Sequence, residues 1–352
     1  MTQERKYKLL IVDDSIVIRT FLKDLFSKLP DFEIIGTASN PYTARDIMKA
    51  NWPDVITLDV EMPRMNGIEF LKKIMQSRPT PVVMISTLTK DRAAITLEAL
   101  EIGAVDYFPK PELSTWQILE DTKEEIIKKV RNAVTSNIKK RGIGKEVRTI
   151  IETDADHAQT VNKIVLVGSS TGGVQALTKI FMRLPKYTPG IAVVQHMPAT
   201  FIDSLADQLG RKTNLTVKVA EHNEQLSPGK IVIAPGNCHL EVVKRGDHFY
   251  TRLVEGKAVG YHIPAVNVLF ISAARVGGPE ILGIILTGMG EDGAQGMLQM
   301  RLNRCRTIGQ DQESSVVYGM PKRAFEMGAV EQQVSLTNIS QKIVEFGEGK
   351  LK

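Results

Sequence analysis

Two sets of residues carry side chains able to do chemistry, and each set lies where strand-like runs end. The first set is acidic. Asp13 and Asp14 follow KLLIV, Asp59 ends VITLD, Ser86 ends VVMIS, and Lys110 follows a later run in YFPKP. Strand ends of an open parallel sheet line one crevice, so these side chains should converge. Three clustered carboxylates repel one another unless a cation joins them, and oxygen donors of this kind suit Mg²⁺. With Lys110 offsetting the incoming charge, the chemistry is phosphoryl transfer onto a carboxylate, with Asp59 as the nucleophile.

The second set joins a serine, a histidine and a carboxylate. Ser170 sits in GSSTGG after KIVLV, and His196 follows the apolar run GIAVVQ. Asp292 lies in the glycine-rich stretch TGMGEDGAQGM, after the run Ile281–Thr287. Taken together they are the nucleophile, the base and its orienter of acyl transfer. Backbone N–H groups of GSSTGG and of the Met289 loop are placed to serve an oxyanion. GSSTGG by itself is equally a phosphate cradle, although it has neither the GxGxxG pattern nor a Walker lysine. A non-catalytic scaffold that binds a partner or nucleotide through this loop is the alternative, but such a cradle has no need of an imidazole–carboxylate pair. Glu291, adjacent to Asp292, is the second choice of carboxylate. Of the six histidines, His157 lies in a charged connector, His239 and His248 in an expected hairpin, and His222 and His262 in loop-like context.

The positioning elements follow from hydrophobic period. Strand-like runs at Lys8–Val12, Glu33–Ala38, Val55–Asp59, Val82–Ser86 and Asp106–Phe108 alternate with amphipathic stretches such as Ile16–Leu29 and Gly67–Gln76. That alternation and size predict a flavodoxin-like α/β domain. Further runs at Ile164–Gly168, Ile191–Gln195, Lys230–Ala234 and Ile281–Thr287 predict a second, doubly wound parallel-sheet domain. Between His239 and Val254, alternating runs flank Arg245–Gly246–Asp247 and predict an inserted β-hairpin. The expected division is residues 1–130, a linker over 131–162 that is charged and weakly periodic, and a second domain over 163–348.

With 352 residues, 43% of them hydrophobic and 24% charged, the chain suits two soluble domains rather than one core. No apolar run approaches the ~20 residues that span a bilayer. MTQERKYKLLIVDDS has no signal-peptide pattern, so a cytoplasmic location is expected. A net charge of +5 comes without an aromatic-interleaved basic patch, which argues against nucleic acid. Cys238 and Cys305 have neither metal-ligand nor disulfide spacing, and Cys238 reads as a structural thiol.

Across positions 7–130 the residues resemble the receiver domains of two-component response regulators. The resemblance implies that Asp59 accepts phosphate, that Asp13 and Asp14 bind Mg²⁺ with the carbonyl of Glu61, and that Ser86 and Tyr107 form a switch pair. It makes Lys110 the phosphate-sensing lysine, with a cis peptide before Pro111. Over most of 163–330, the stretches GSSTGG, VVQHMPATF, LSPGKIVIAPGNCHL, PAVNVLF, TGMGEDGAQGM and IGQDQESSVVYGMP resemble the catalytic domain of chemotaxis response regulator protein-glutamate methylesterases. By that resemblance the triad is Ser170, His196 and Asp292, with Thr171 and Met289 assisting. The implied substrate is a methyl-accepting chemoreceptor, the implied phosphodonor a chemotaxis histidine kinase, and deamidation of receptor glutamines a second implied activity. No cofactor is expected at the esterase site. The chain departs from the family pattern at Ile263, where arginine is common, at Asn267, where aspartate is common, and over RLNRCRTIG.

Overall fold

The computed structural model describes residues 5–62, 65–86, 90–110, 116–140, 149–152, 160 and 162–351. Packing divides the chain into two compact units, Met1–Gly144 and Lys145–Lys352. Each folds around its own sheet.

The first unit is built on five parallel strands in the order β2-β1-β3-β4-β5. They are β1 (Tyr7–Val12), β2 (Phe32–Ala38), β3 (Val55–Asp59), β4 (Val82–Ser86) and β5 (Asp106–Pro109). Every residue of β3 and β4 is buried, which is why these strands read as unbroken apolar runs rather than alternating ones. Helices α1 (Ile16–Ser27), α2 (Pro41–Ala50), α3 (Gly67–Ser77), α4 (Lys90–Ile102) and α5 (Trp116–Thr135) connect or follow them. Helix α1 buries Ile18, Phe21, Leu22, Leu25 and Phe26, the three-and-four spacing of one helical face. Asn40 caps α2 by accepting from the N–H groups of Tyr42 and Thr43, and Asn66 caps α3 from Glu69.

Chain order reverses between β1 and β3, so the crevice at their carboxyl ends receives Asp13, Asp14 and Asp59. Helix α5 runs through Thr135, and a 3₁₀ turn over Asn137–Lys140 follows. The helical part of the first unit thus reaches into the charged stretch expected as a connector. His157 and the peptide before Pro111 lie outside the described residues.

The second unit has seven parallel strands in the order β14-β13-β12-β6-β7-β9-β8 and a separate two-stranded ribbon. The sheet strands are β6 (Ile164–Ser169), β7 (Gly190–Gln195), β8 (Thr216–Val219), β9 (Lys230–Ile233), β12 (Ile281–Ile285), β13 (Arg306–Gln310) and β14 (Gln332–Val334). The expected hairpin is present as β10 (His239–Arg245) and β11 (His248–Val254), paired antiparallel. Helices α6 (Gly173–Phe181), α7 (Ala199–Lys212), α8 (Val266–Val276), α9 (Ala294–Leu302), α10 (Met320–Glu326) and α11 (Leu336–Gly347) cover the sheet. The hairpin packs on α8, where the Ser272 hydroxyl accepts the Val242 N–H at 2.9 Å. Both units are therefore α/β with parallel sheets. Among the described residues, no helix is long and apolar enough to cross a membrane.

Candidate active site and phosphoacceptor site

In the first unit, Lys110 Nζ lies 2.6 Å from Asp59 Oδ2, 3.3 Å from the Asp13 carboxylate and 3.9 Å from Asp14 Oδ1. Asp13 is fully buried and Asp59 is 2% exposed. Burial and the neighbouring Asp13 charge push the Asp59 carboxyl up to about 7, against the pull of Lys110. Burial also raises Asp13. Burial alone would lower Lys110, but its contacts with Asp59 and Asp13 more than offset that and raise it.

The expected switch residues flank this crevice. Ser86 is buried, and its hydroxyl accepts from Thr96 Oγ1 at 2.8 Å. The Tyr107 ring is buried beneath Lys129, whose Nζ lies 5.1 Å from the ring centre. The Glu61 N–H donates to Asp59 Oδ1 at 3.3 Å, and its carboxylate pairs with Arg92 at 2.8 Å.

In the second unit, the ends of β6, β7 and β12 are tied together around Ser170. The Ser170 N–H donates to Thr287 O at 3.1 Å, and the His196 N–H donates to Ser169 O at 3.0 Å. Gln195, buried at the end of β7, accepts the Ser169 hydroxyl at 2.6 Å. Its Nε2 donates to the carbonyls of Ser170 and His196 at 3.0 and 3.2 Å. One amide side chain thus staples the serine-bearing and histidine-bearing turns. The turn after Ser170 must be glycine-rich. Gly172 sits at φ +79°, and a Cβ on Gly173 would lie 2.1 Å from Gln195 Oε1. Gly288 passes so close that its own Cβ would meet Ser170 Cβ at 2.9 Å, which brings the Met289 loop beside the serine. Thr171 is buried, and its carbonyl accepts from Thr287 Oγ1 at 3.0 Å.

His196 Nε2 lies 2.8 Å from Asp292 Oδ2. Asp292 is 5% exposed and sits at the amino end of α8. There it accepts the N–H groups of Val266 at 2.7 Å and Asn267 at 2.9 Å. Burial works against its charge, but His196 and those two amides more than offset this and hold its carboxyl below the ordinary range. The proton between the pair therefore belongs on Nε2. Nδ1 of His196 is buried without a hydrogen-bond partner, so it is the basic nitrogen. Glu291 is not in this arrangement, since its carboxylate is 76% exposed and pairs with Arg323 at 3.3 Å.

The chain as a whole is similar to known proteins. Residues 165–343 match the family described as CheB methylesterase, and residues 9–120 match the response regulator receiver domain. A protein-glutamate methylesterase/protein-glutamine glutaminase from Sulfurimonas denitrificans is 45% identical over 344 residues, covering 96% of this chain and 98% of that protein. A protein so named, number 1 of Caulobacter vibrioides, is 46% identical over 98% of this chain and 99% of its own length. The chain belongs to this family. The crystal structure of the Thermotoga maritima CheB methylesterase catalytic domain is 38% identical, with a TM-score of 0.51 over 52% of this chain and 97% of that one. The protein is thus a hydrolase carrying a receiver domain.

The receiver's donor set suits a hard divalent cation. Asp13, Asp14 and Asp59 each bring a carboxylate oxygen within 4.8 Å of the others. Asp13 Oδ2 is buried and makes no hydrogen bond, only the 3.3 Å ion-pair approach of Lys110 Nζ, so a divalent cation would complete its coordination. In the methylesterase unit, three participants escaped the sequence reading. Gln195 is a polar residue closing an otherwise apolar strand, and that placement was its signal. His262 stacks on His196 with ring centres 3.8 Å apart and planes 12° from parallel. Nothing in its loop-like neighbourhood foretells this. Asn267, a departure from the family pattern, donates to Asp292 and accepts the Gly296 N–H at 2.8 Å. The two thiols are buried, and burial raises both, Cys305 to about 12. Neither has the environment of a nucleophile.

Proposed function

We propose that the protein hydrolyses glutamyl methyl esters on a chemoreceptor to glutamate and methanol, and deamidates receptor glutamines by the same route. The observation that carries this is the buried His196–Asp292 pair, with Nδ1 left without a hydrogen bond at the sheet edge where Ser170 directly follows β6. Ser170 Oγ attacks the ester carbonyl while Nδ1 takes its proton. Asp292 stabilises the resulting imidazolium through Nε2. His196 then gives the proton to the leaving methoxide, releasing methanol and leaving an acyl-Ser170. Water, deprotonated by Nδ1, hydrolyses that ester, and the proton returns to Ser170. Thr171 and the backbone at Met289 are assigned to the developing oxyanion.

Control belongs to the receiver, with Asp59 as phosphoacceptor and a chemotaxis histidine kinase as donor. Asp13, Asp14 and Asp59, with the Glu61 carbonyl, would hold Mg²⁺, which offsets phosphoryl charge when bound. Lys110 neutralises the phosphoryl group from the other side. Tyr107 is already buried, and Ser86 is tied to Thr96, a bond that it would exchange for one to the phosphoryl group. We keep residues 131–162 as the connector between functional domains 1–130 and 163–348, and a cytoplasmic location. Purified protein should release methanol from methylated receptor, and faster with a phosphodonor and Mg²⁺. Absence of methanol under both conditions would leave the scaffold reading in its place.

A further inference from the structure

Between the hairpin and α8, the chain makes a tight turn over Val259–His262. The Val259 N–H donates to His262 O at 3.1 Å, and the His262 N–H returns to Val259 O at 3.2 Å. The central residues Gly260 and Tyr261 have φ of +59° and +72°, the two left-handed positions of a two-residue type I′ turn. Glycine adopts that conformation without strain, whereas a bulky side chain rarely does. Nothing in the packing explains a tyrosine there, because its side chain is 99% exposed. Val259, at the start of the turn, is 41% exposed.

The turn is nonetheless firmly held. His262 stacks on His196 at 3.8 Å. His239, 4% exposed, accepts the Ala265 N–H on Nδ1 at 3.2 Å and donates from Nε2 to Lys257 O at 3.0 Å. One buried imidazole therefore clamps both ends of the segment 257–265. The Tyr261 ring stands in solvent one residue from a ring that lies on His196.

We propose that Tyr261 is a specificity-determining residue that engages the protein substrate beside the target glutamate. The inference rests on the hydrolase reading above. A rigidly presented aromatic beside a reactive centre is the kind of group on which binding energy concentrates. If the target glutamate lies on a helix, the side chains three and four residues away share its face. Aliphatic groups at those positions meet the Tyr261 ring while the ester reaches Ser170. Lys257, exposed on the same segment, adds a cation that favours an acidic stretch. A small ester has no such flanking groups and gains nothing from the ring.

The test compares methylated receptor with p-nitrophenyl acetate, using full-length protein. Tyr261→Asn removes the ring and keeps a residue that tolerates positive φ. It should raise KM for receptor by about tenfold with kcat within about twofold, the scale of one lost aromatic contact. The ratio of kcat/KM on receptor to that on the small ester should fall accordingly. Tyr261→Phe should restore the ratio, and Tyr187→Ala, an exposed aromatic before β7 at the opposite sheet edge, should not change it. An unchanged ratio in Tyr261→Asn overturns the inference. So does a parallel loss on both substrates, which would mean that Tyr261 acts through His262 on the site itself. If wild-type protein hydrolyses neither ester, the hydrolase reading fails first and this inference falls with it.

Discussion

Asp59 and Asp292 are both buried carboxylates at the carboxyl edge of a parallel sheet, 2% and 5% exposed, yet they titrate in opposite directions. Asp59 is raised to about 7, and Asp292 is lowered. Burial pushes both upward, so the difference lies in their partners. Asp59 shares one lysine with Asp13 and sits against that second carboxylate. Asp292 has a histidine and two backbone amides to itself at a helix amino end, where the helix dipole also favours an anion. One acid is surrounded by too little positive charge and is completed by what it binds. The other is already complete and holds a fixed charge beside an imidazole. The first arrangement suits a site that switches, the second a site that turns over.

The largest consequence concerns turnover. Asp292→Asn should lower kcat on receptor ester by roughly 10⁴-fold with little change in KM, because the neutral amide cannot stabilise the imidazolium or fix its tautomer. Glu291→Gln should remain near wild type. Steady-state kinetics on the two variants check this, and the reverse ranking would reassign the carboxylate. Asp59→Asn should retain basal turnover and lose its response to a phosphodonor.

A smaller effect concerns the cation. Because the Asp59 carboxyl is raised to about 7, Mg²⁺ must displace a proton at lower pH. Mg²⁺ affinity should therefore be about tenfold weaker at pH 6 than at pH 8, as expected for one linked proton. Calorimetric titration at both pH values measures it, and a pH-independent affinity would mean that Asp59 is ionised throughout.

The smallest effect is on stability, and there the two acids should differ in sign. The folded pKa of Asp59 is raised, so its contribution is fully present below the unfolded value and is lost as pH rises through about 7. Asp59→Asn should then raise the Tm of the receiver unit by a few degrees at pH 8 without divalent cations. The folded pKa of Asp292 is lowered, so its contribution is present above the unfolded value and is lost as pH falls through the folded one. Asp292→Asn should lower the Tm of the methylesterase unit by a few degrees at pH 7, and the deficit should shrink in acid. Scanning calorimetry that showed the same sign for both would break the comparison.

Much of both sites was legible in the chain because Asp13, Asp59, Ser170 and His196 each close a strand or follow one directly, and parallel sheets gather such residues at one edge. Asp292, in the loop well past the end of β12 at Ile285, was read from its glycine-rich setting instead. The long, fully buried strands β3, β4, β6 and β7 announced themselves as apolar runs for the same reason. Strands β8 and β14 did not. TVKV has no buried residue, and QQV has three residues with one buried, so neither shows a period. Gln195 could be seen as an oddity in its strand, but its role as a staple depends on two turns meeting across the sheet. His262 and Tyr261 were out of reach. Their placement follows from a backbone turn and a clamp by His239, contacts that leave no spacing signature.

The most direct test of the account is covalent labelling of the full-length protein with a fluorophosphonate, followed by peptide mass spectrometry. The account predicts one modified residue, Ser170, with labelling abolished in Ser170→Ala and greatly slowed in Asp292→Asn. Modification at another residue, or labelling of Ser170 at an undiminished rate in Asp292→Asn, would contradict it.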